Sequence, residues 1–159
     1  LLTKPLSDWQ IILSKFLAGW VLTLITLLPT LLFYYSVYQL GATEGNIDTG
    51  GTWGSYIGLL FLAGAYVSIG IFASSLTNNQ IVSFILAVFL SFLLFIGLES
   101  ASGIFNNSFL EGIFIHLGIN AHYLSMSRGV IDTRDVLYFI SLIGTFILLT
   151  KTRIESRKW

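Results

Sequence analysis

WGSYIGLLFLAGAYVSIGIFASSLTNNQIVSFILAVFLSFLLFIGL, residues Trp53–Leu98, contains no Asp, Glu, Lys, Arg or His. One cluster of four polar residues, Thr77-Asn78-Asn79-Gln80, splits it into uncharged runs at 53–76 and 81–98. As helices rising ~1.5 Å per residue these runs extend about 35 Å and about 27 Å. Both can cross a hydrocarbon core of ~30 Å, given some tilt or local thinning. Working outward, Phe16–Tyr38 is a third uncharged run. Val136–Leu149 is a fourth, short by itself, which Thr133 and Thr150 extend and which ends where Lys151 can snorkel. The expectation is an all-α, polytopic membrane helix bundle with four transmembrane helices at about 11–40, 53–76, 81–98 and 133–150.

Composition agrees. Apolar and aromatic residues make up 55% of the 159 residues and charged residues only 10%, with a mean hydropathy of +0.83. A soluble domain carries ~25% charged residues, so this chain cannot cover a water-exposed surface. That excludes a soluble globular domain and a disordered tail. Eight Lys/Arg against eight Asp/Glu leave no basic surface for nucleic acid. With no Cys there is no disulfide framework, thiolate metal site or Cys nucleophile. The chain begins with Leu1 and has no signal-peptide layout, so it is read as part of a longer protein, one transmembrane domain fragment over 1–159.

Helix-start signals sit where the runs require them. Ser7-Asp8-Trp9-Gln10 matches a capping box just after Pro5. Thr77-Asn78-Asn79-Gln80 repeats the pattern in a tight hairpin between spans two and three. Asp132 or Thr133 can cap the fourth helix, with Asp135 near its positive dipole end. Six Lys/Arg (Lys4, Lys15, Lys151, Arg153, Arg157, Lys158) fall on the side of the termini and two (Arg128, Arg134) on the other. The positive-inside bias therefore puts both ends of the fragment, including the tail 151–159, in the cytoplasm. Tyr34, Tyr35, Tyr38, Trp53 and Tyr56 form an outer aromatic belt.

Between Glu99 and Asp135 the chain is too long for a turn and too apolar for a plain loop. Leu110, Ile113, Phe114 and Leu117 share one helical face, with Glu111 toward the other. The outer segment 104–127 reads as short re-entrant or interfacial helices, a second one including Ala121–Ser127 and ending at Gly129. The sequon Asn106-Asn107-Ser108 is read as accidental.

Chemistry-bearing residues are sparse. There is no H-E-x-x-H and no G-x-S-x-G. His116 and His122, six apart, read as interfacial packing or hydrogen-bonding residues rather than metal ligands. No span interior holds an ionisable group, which argues against an ion-coupled pump. Glu99 reads as solvated or paired at the interface. Pro29 frees the carbonyl of Ile25, and Thr23, Thr26 and Thr30 are nearby hydroxyls that can help satisfy the backbone; the proline is either a static kink or a hinge. Gly54 and Gly58, Gly64 and Ser68, and Gly70 and Ser74 repeat small-x-x-x-small, a face for packing within the subunit or for a dimer seam.

Three stretches carry a resemblance. Leu1–Phe16 (LLTKPLSDWQIILSKF) resembles the approach to the third membrane helix of ABC-2 type permeases. Gly70–Val82 (GIFASSLTNNQIV) resembles that family's turn between the fourth and fifth helices, and Ser127–Phe139 (SRGVIDTRDVLYF) its approach to the last helix. Within that family the chain resembles the gliding-motility-associated permease subunits of Bacteroidota. The resemblance implies the last four helices of a six-helix exporter subunit in the bacterial inner membrane. It implies an ATPase-coupling edge at Leu1, Leu2, Thr3, Lys4 and Pro5, and an outer gate at Leu110, Ile113, Phe114 and Leu117. It implies as partners an ABC ATPase subunit, which carries the ATP and Mg, and a second permease copy or related membrane subunit. No G-x-x-x-x-G-K-[ST] loop occurs here, so no enzyme activity is expected of this chain. The alternative reading is a non-transporting membrane scaffold that anchors a larger machine.

Overall fold

A computed structural model describes residues 7–41, 46–103 and 108–156, with the backbone alone for Ser108. The sequence-based expectations that concern Leu1–Pro5, Glu44, Asn106, Asn107, Arg157 and Lys158 lie outside the described residues. The described chain is all-α. Its elements are α1 (Asp8–Leu40), α2 (Thr49–Leu76), α3 (Gln80–Phe92), a π turn (Leu93–Gly97), α4 (Leu98–Ser102), α5 (Ser108–Leu117), α6 (Ile119–Ser127) and α7 (Thr133–Ser156). Four rods are long and apolar enough to cross a membrane: α1, α2, the continuous rod Gln80–Ser102, and α7.

Helices α1, α2, α3 and α7 start where a polar side chain replaces a missing intrahelical partner. Ser7 Oγ accepts from Gln10 N–H at 3.3 Å while Gln10 Oε1 accepts from Ser7 N–H at 3.0 Å, the reciprocal capping box. Asp48 Oδ1 accepts from Gly51 N–H at 2.9 Å and starts α2. Asp132 Oδ1 accepts from Arg134 N–H at 2.9 Å at the head of α7. The hairpin before α3 corrects the sequence reading: its cap is Asn79, not Thr77. Asn79 Oδ1 accepts from Ile81 N–H and Val82 N–H at 2.9 and 3.4 Å, and Thr77 Oγ1 accepts from Asn79 N–H. Two nested side-chain turns let the chain reverse within the three residues Thr77–Asn79.

The hydroxyls around Pro29 do bond the backbone, at carbonyls other than that of Ile25. Thr23 Oγ1 donates to Gly19 O, Thr26 Oγ1 to Thr23 O, and Thr30 Oγ1 to Leu27 O. None of the three donates to Ile25 O. Each hydroxyl reaches the carbonyl three or four residues before it, which is the carbonyl its own rotamer places nearest. Helix α1 continues through Pro29 unbroken.

Helix α2 is the central post. It packs against α1, α3, α6 and α7, and its buried residues Gly51, Gly54, Gly58, Gly64, Ala65, Ser68, Ile69 and Ala73 are mostly small. In lipid there is no hydrophobic drive between apolar helices, so close backbone approach supplies the attraction. Phe61 stacks on Phe139 of α7 at 5.9 Å between ring centres, and Tyr66 meets Phe95 edge-on at 6.5 Å. Trp20 Nε1–H donates to Leu60 O at 2.9 Å across the α1–α2 seam. The outward faces of α1 and α3 are lined with exposed Leu, Ile, Val and Phe, a surface suited to lipid tails.

The two ends of the bundle differ. At one end lie the first residues of α1, the α2–α3 hairpin and the end of α7, where Lys151 sits 5.0 Å over the Trp9 ring. At the other end Tyr34, Trp53 and Tyr56 cluster, and α5–α6 lie over α2, α4, the π turn and α7 as a cap.

Candidate functional site

The cap is the most elaborated region of the described chain. Helix α6 enters the core through Ile119 and Met126, both fully buried in one cluster with Ala65 of α2 and Phe139 of α7. These residues are seven apart, so they fall on one face of the helix. His122 and Tyr123 lie between them on that same face. Tyr123 fills the space over Gly58, and His122 turns to α7.

That turn builds a polar seam. His122 Nδ1 lies 2.7 Å from Asp135 Oδ1, and His122 Nε2 lies 2.9 Å from the carbonyl oxygen of His116 on α5. The His122 ring stacks on Tyr138 at 3.9 Å, and the Tyr138 hydroxyl donates to Leu117 O at 2.6 Å. On the far side of α6, Asn120 Nδ2–H donates to Glu99 Oε2 at 2.7 Å. Asp135 is 6% exposed, and its second oxygen, Oδ2, is buried with no hydrogen-bond partner. Among the described residues no three His, Asp or Glu side chains converge as metal ligands.

The cap is fastened to α2 by backbone contact. A Cβ on Gly54 would meet Met126 O and would sit 2.8 Å from Gly129 Cα. Gly129 itself has φ +83°, the left-handed region that glycine reaches without steric cost. It follows the end of α6, its N–H donating to Met126 O, and turns the chain toward α7.

The small residues of α2 divide into two sets. Gly54 and Gly58 receive the cap, Gly64 receives Ile143 of α7 and Trp20 of α1, and Ser68 is fully buried with its hydroxyl on Ala65 O. This chain's own helices fill those four positions. Gly70 has nothing within 4 Å of a Cβ, and with Ser74 it borders an open groove of about 440 Å³ between α1, α2 and α7, also lined by Ile12, Lys15, Gly19 and Thr150. Of the expected gate residues, Leu110, Ile113 and Leu117 are exposed on the outward face of α5, while Phe114 is half-buried. Pro29 lies in α1 near the aromatic cluster, one residue before Thr30, whose hydroxyl bonds the Tyr56 hydroxyl at 2.9 Å. The coupling edge, Leu1–Pro5, falls outside the described residues.

Sequence reasoning did not join His122 to Asp135. Thirteen positions separate them, and the link exists only because Gly129 reverses the chain. A usable signal was present: Ile119, His122, Tyr123 and Met126 share one stripe, which places the histidine on the buried face of α6.

A family model described as ABC-2 family transporter protein matches residues 1–152. No curated protein and no solved structure matches the chain.

Proposed function

We infer the function from one premise: the chain belongs to the ABC-2 transporter family. It is a multi-pass membrane permease component of an ABC exporter, the part that works with an ABC ATPase subunit rather than hydrolysing ATP itself. The family match over 152 residues carries this reading. The four spans support it, because a permease driven by a separate ATPase needs apolar walls and close-packed helices, not a mid-membrane ionisable group.

The finer reading goes further than the family. The fragment lies in a bacterial inner membrane with both ends cytoplasmic, as the distribution of Lys and Arg favours. The end of the bundle holding Trp9 and Lys151 then faces the ATPase, with Leu1–Pro5 as the coupling edge. ATP and Mg are bound there by the partner. The cap lies on the outer side, where the apolar face Leu110, Ile113 and Leu117 meets a second permease copy or related membrane subunit and closes the path. The similarity to gliding-motility permeases of Bacteroidota makes a cell-surface machine the expected client.

The test is co-purification and reconstitution of the full-length protein with its ATPase. The expected result is a stable complex whose ATPase rate falls at least tenfold on charge substitution at Leu2 or Pro5, with membrane insertion intact. A permease that retains no ATPase, or that is indifferent to those substitutions, favours a scaffold that anchors a larger machine. A reporter placed at Asp48 should read outside, and one after Lys158 inside; the reverse overturns the orientation and the coupling edge with it.

A further inference from the structure

We propose that the His122–Asp135 pair is a proton-binding site, and that its bound proton latches the α5–α6 cap onto α7. The inference rests on the geometry of the cap alone and stands whether or not the transport reading holds.

The two ring nitrogens of His122 decide it. Nε2 faces the carbonyl oxygen of His116 at 2.9 Å, and a backbone carbonyl only accepts, so Nε2 carries a hydrogen. In a neutral imidazole the other nitrogen, Nδ1, is then a bare lone pair. It lies 2.7 Å from Asp135 Oδ1, a hydrogen-bond distance that two lone pairs do not hold. A second proton therefore sits between them, on the ring as an imidazolium beside a carboxylate, or on the carboxyl, donating to the ring. Either way the pair holds one proton more than a neutral histidine and a carboxylate.

The surroundings make that proton matter. Asp135 is 6% exposed, and its Oδ2 has no partner among the described residues, so His122 is the one side chain bonded to its carboxylate, beside the positive end of the α7 dipole. An uncompensated buried carboxylate is strongly disfavoured. The other groups around the ring do not replace it. From α7, Tyr138 stacks on the ring, with its hydroxyl committed to Leu117 O. Arg134 and Asp132 are exposed, the latter capping the helix. From α5, the His116 ring lies 6.5 Å away, centre to centre. Helix α2 carries no charged residue between Thr49 and Leu76. From α4, Glu99 is held by Asn120.

The bonds through this ring join three elements: His122 on α6, Asp135 on α7 and the His116 carbonyl on α5. When the proton leaves, a lone pair faces a carboxylate and the cap loses its charged tie to α7, keeping Tyr138–Leu117 and the apolar anchors. The bonded geometry requires that proton, so the latch is expected where the pair holds it and is absent where it does not.

The chain has no Cys, so labels can be placed cleanly. Spin labels at Leu124→Cys on α6 and Leu137→Cys on α7, both exposed positions, report the cap–span separation in the full-length protein in lipid nanodiscs. Nitrogen-15 spectra of His122 and carbon-13 spectra of the Asp135 carboxyl report the proton. The expected result is one extra proton on the pair that is lost with rising pH, and at the same midpoint at least a twofold broadening of the label separation. Asp135→Asn and His122→Gln each break the pair, and in both the separation no longer tracks the proton. If His122 keeps one bare nitrogen and Asp135 is an unprotonated carboxylate while the labels report the narrow, latched separation, the site is overturned. If the pair titrates while the separation stays fixed, the latch is overturned. The wild-type titration decides both even where a variant fails to fold.

Discussion

Replacing Gly54 by Ala and Gly70 by Ala adds the same methyl group to the same helix, yet the two changes should have opposite signs. In a helix interior Ala is favoured over Gly by about 1 kcal/mol, because it loses less backbone entropy. At Gly70 nothing lies within 4 Å of the added carbon, so Gly70→Ala keeps that gain. At Gly54 the carbon meets Met126 O and lies 2.8 Å from Gly129 Cα and 2.9 Å from Gly129 N. All three are backbone atoms, which cannot move aside by changing rotamer. Gly129 also lies close to the Gly50 carbonyl of α2, 2.7 Å from where its own Cβ would stand, so any movement of this turn breaks a tight backbone contact. The α6–α7 turn must therefore lift off α2, at an overpacking cost of about 1–3 kcal/mol plus the loss of contacts around Met126. The net effect is a destabilisation of about 1–2 kcal/mol at Gly54 against a stabilisation of up to about 1 kcal/mol at Gly70. Reversible unfolding of the full-length protein in mixed detergent and SDS micelles measures both. Equal effects, or a Gly54→Ala protein as stable as wild type, would refute the reasoning that backbone contact fastens the cap.

Two further substitutions probe the α1 side. Trp20→Phe removes the indole N–H that donates to Leu60 O across the α1–α2 seam. It should cost about 1 kcal/mol in the same unfolding assay, and no loss would mean the bond contributes nothing to the seam. Pro29→Ala restores a backbone N–H within a helix that already continues through this position, and should raise stability by about 1–3 kcal/mol. A fall in stability would mean that the proline ring itself packs something the backbone argument ignores.

The spans were legible because charge placement is a one-dimensional signal. Every one of the sixteen charged residues lies outside the four uncharged runs, and lipid leaves a helix as the natural way to bury such a run. Local caps were legible for the same reason: the box at Ser7 and Gln10 is written within four residues. Where the cap depends on a neighbouring turn, as at Thr77 and Asn79, the reading slipped by two positions. The π turn Leu93–Gly97 has no composition that marks it, since it lies within an unbroken apolar run. Of the cap seam, the stripe Ile119, His122, Tyr123 and Met126 was legible, but the His122–Asp135 link was not. Gly129, with its positive φ, brings Asp135 to His122, and distances set by a chain reversal do not appear in periodicity. The small-residue face of α2 was visible as a pattern, but which helix fills each position was not; Gly54 takes a backbone turn, Gly64 takes Ile143, and Gly70 takes nothing.

Helix α7 is the element that reaches both ends. Lys151 packs over Trp9 and pairs with Glu155 at one end, while Asp135 and Tyr138 hold the cap at the other. Sixteen residues separate Asp135 from Lys151, about 24 Å along a helix. Between them α7 is bound to α2 by shape: Phe139 on Phe61, Ile143 over Gly64, and Phe146 against Phe72 at 5.6 Å. Such packing resists separation but carries no directional bond that fixes the axial position of α7. A directional bond does fix the α1–α2 pair at mid-span, through Trp20 and Leu60. A push at the end where α1 and α7 meet can therefore tilt α7 against α2 by readjusting side-chain packing, while the Trp20–Leu60 bond holds the α1–α2 register. The polar seam at His122, Asp135 and Tyr138 is where that tilt would be felt. A small rotation of α7 changes a 2.7 Å contact far more than it changes the van der Waals packing of Phe139, so the cap can be released while the core stays closed.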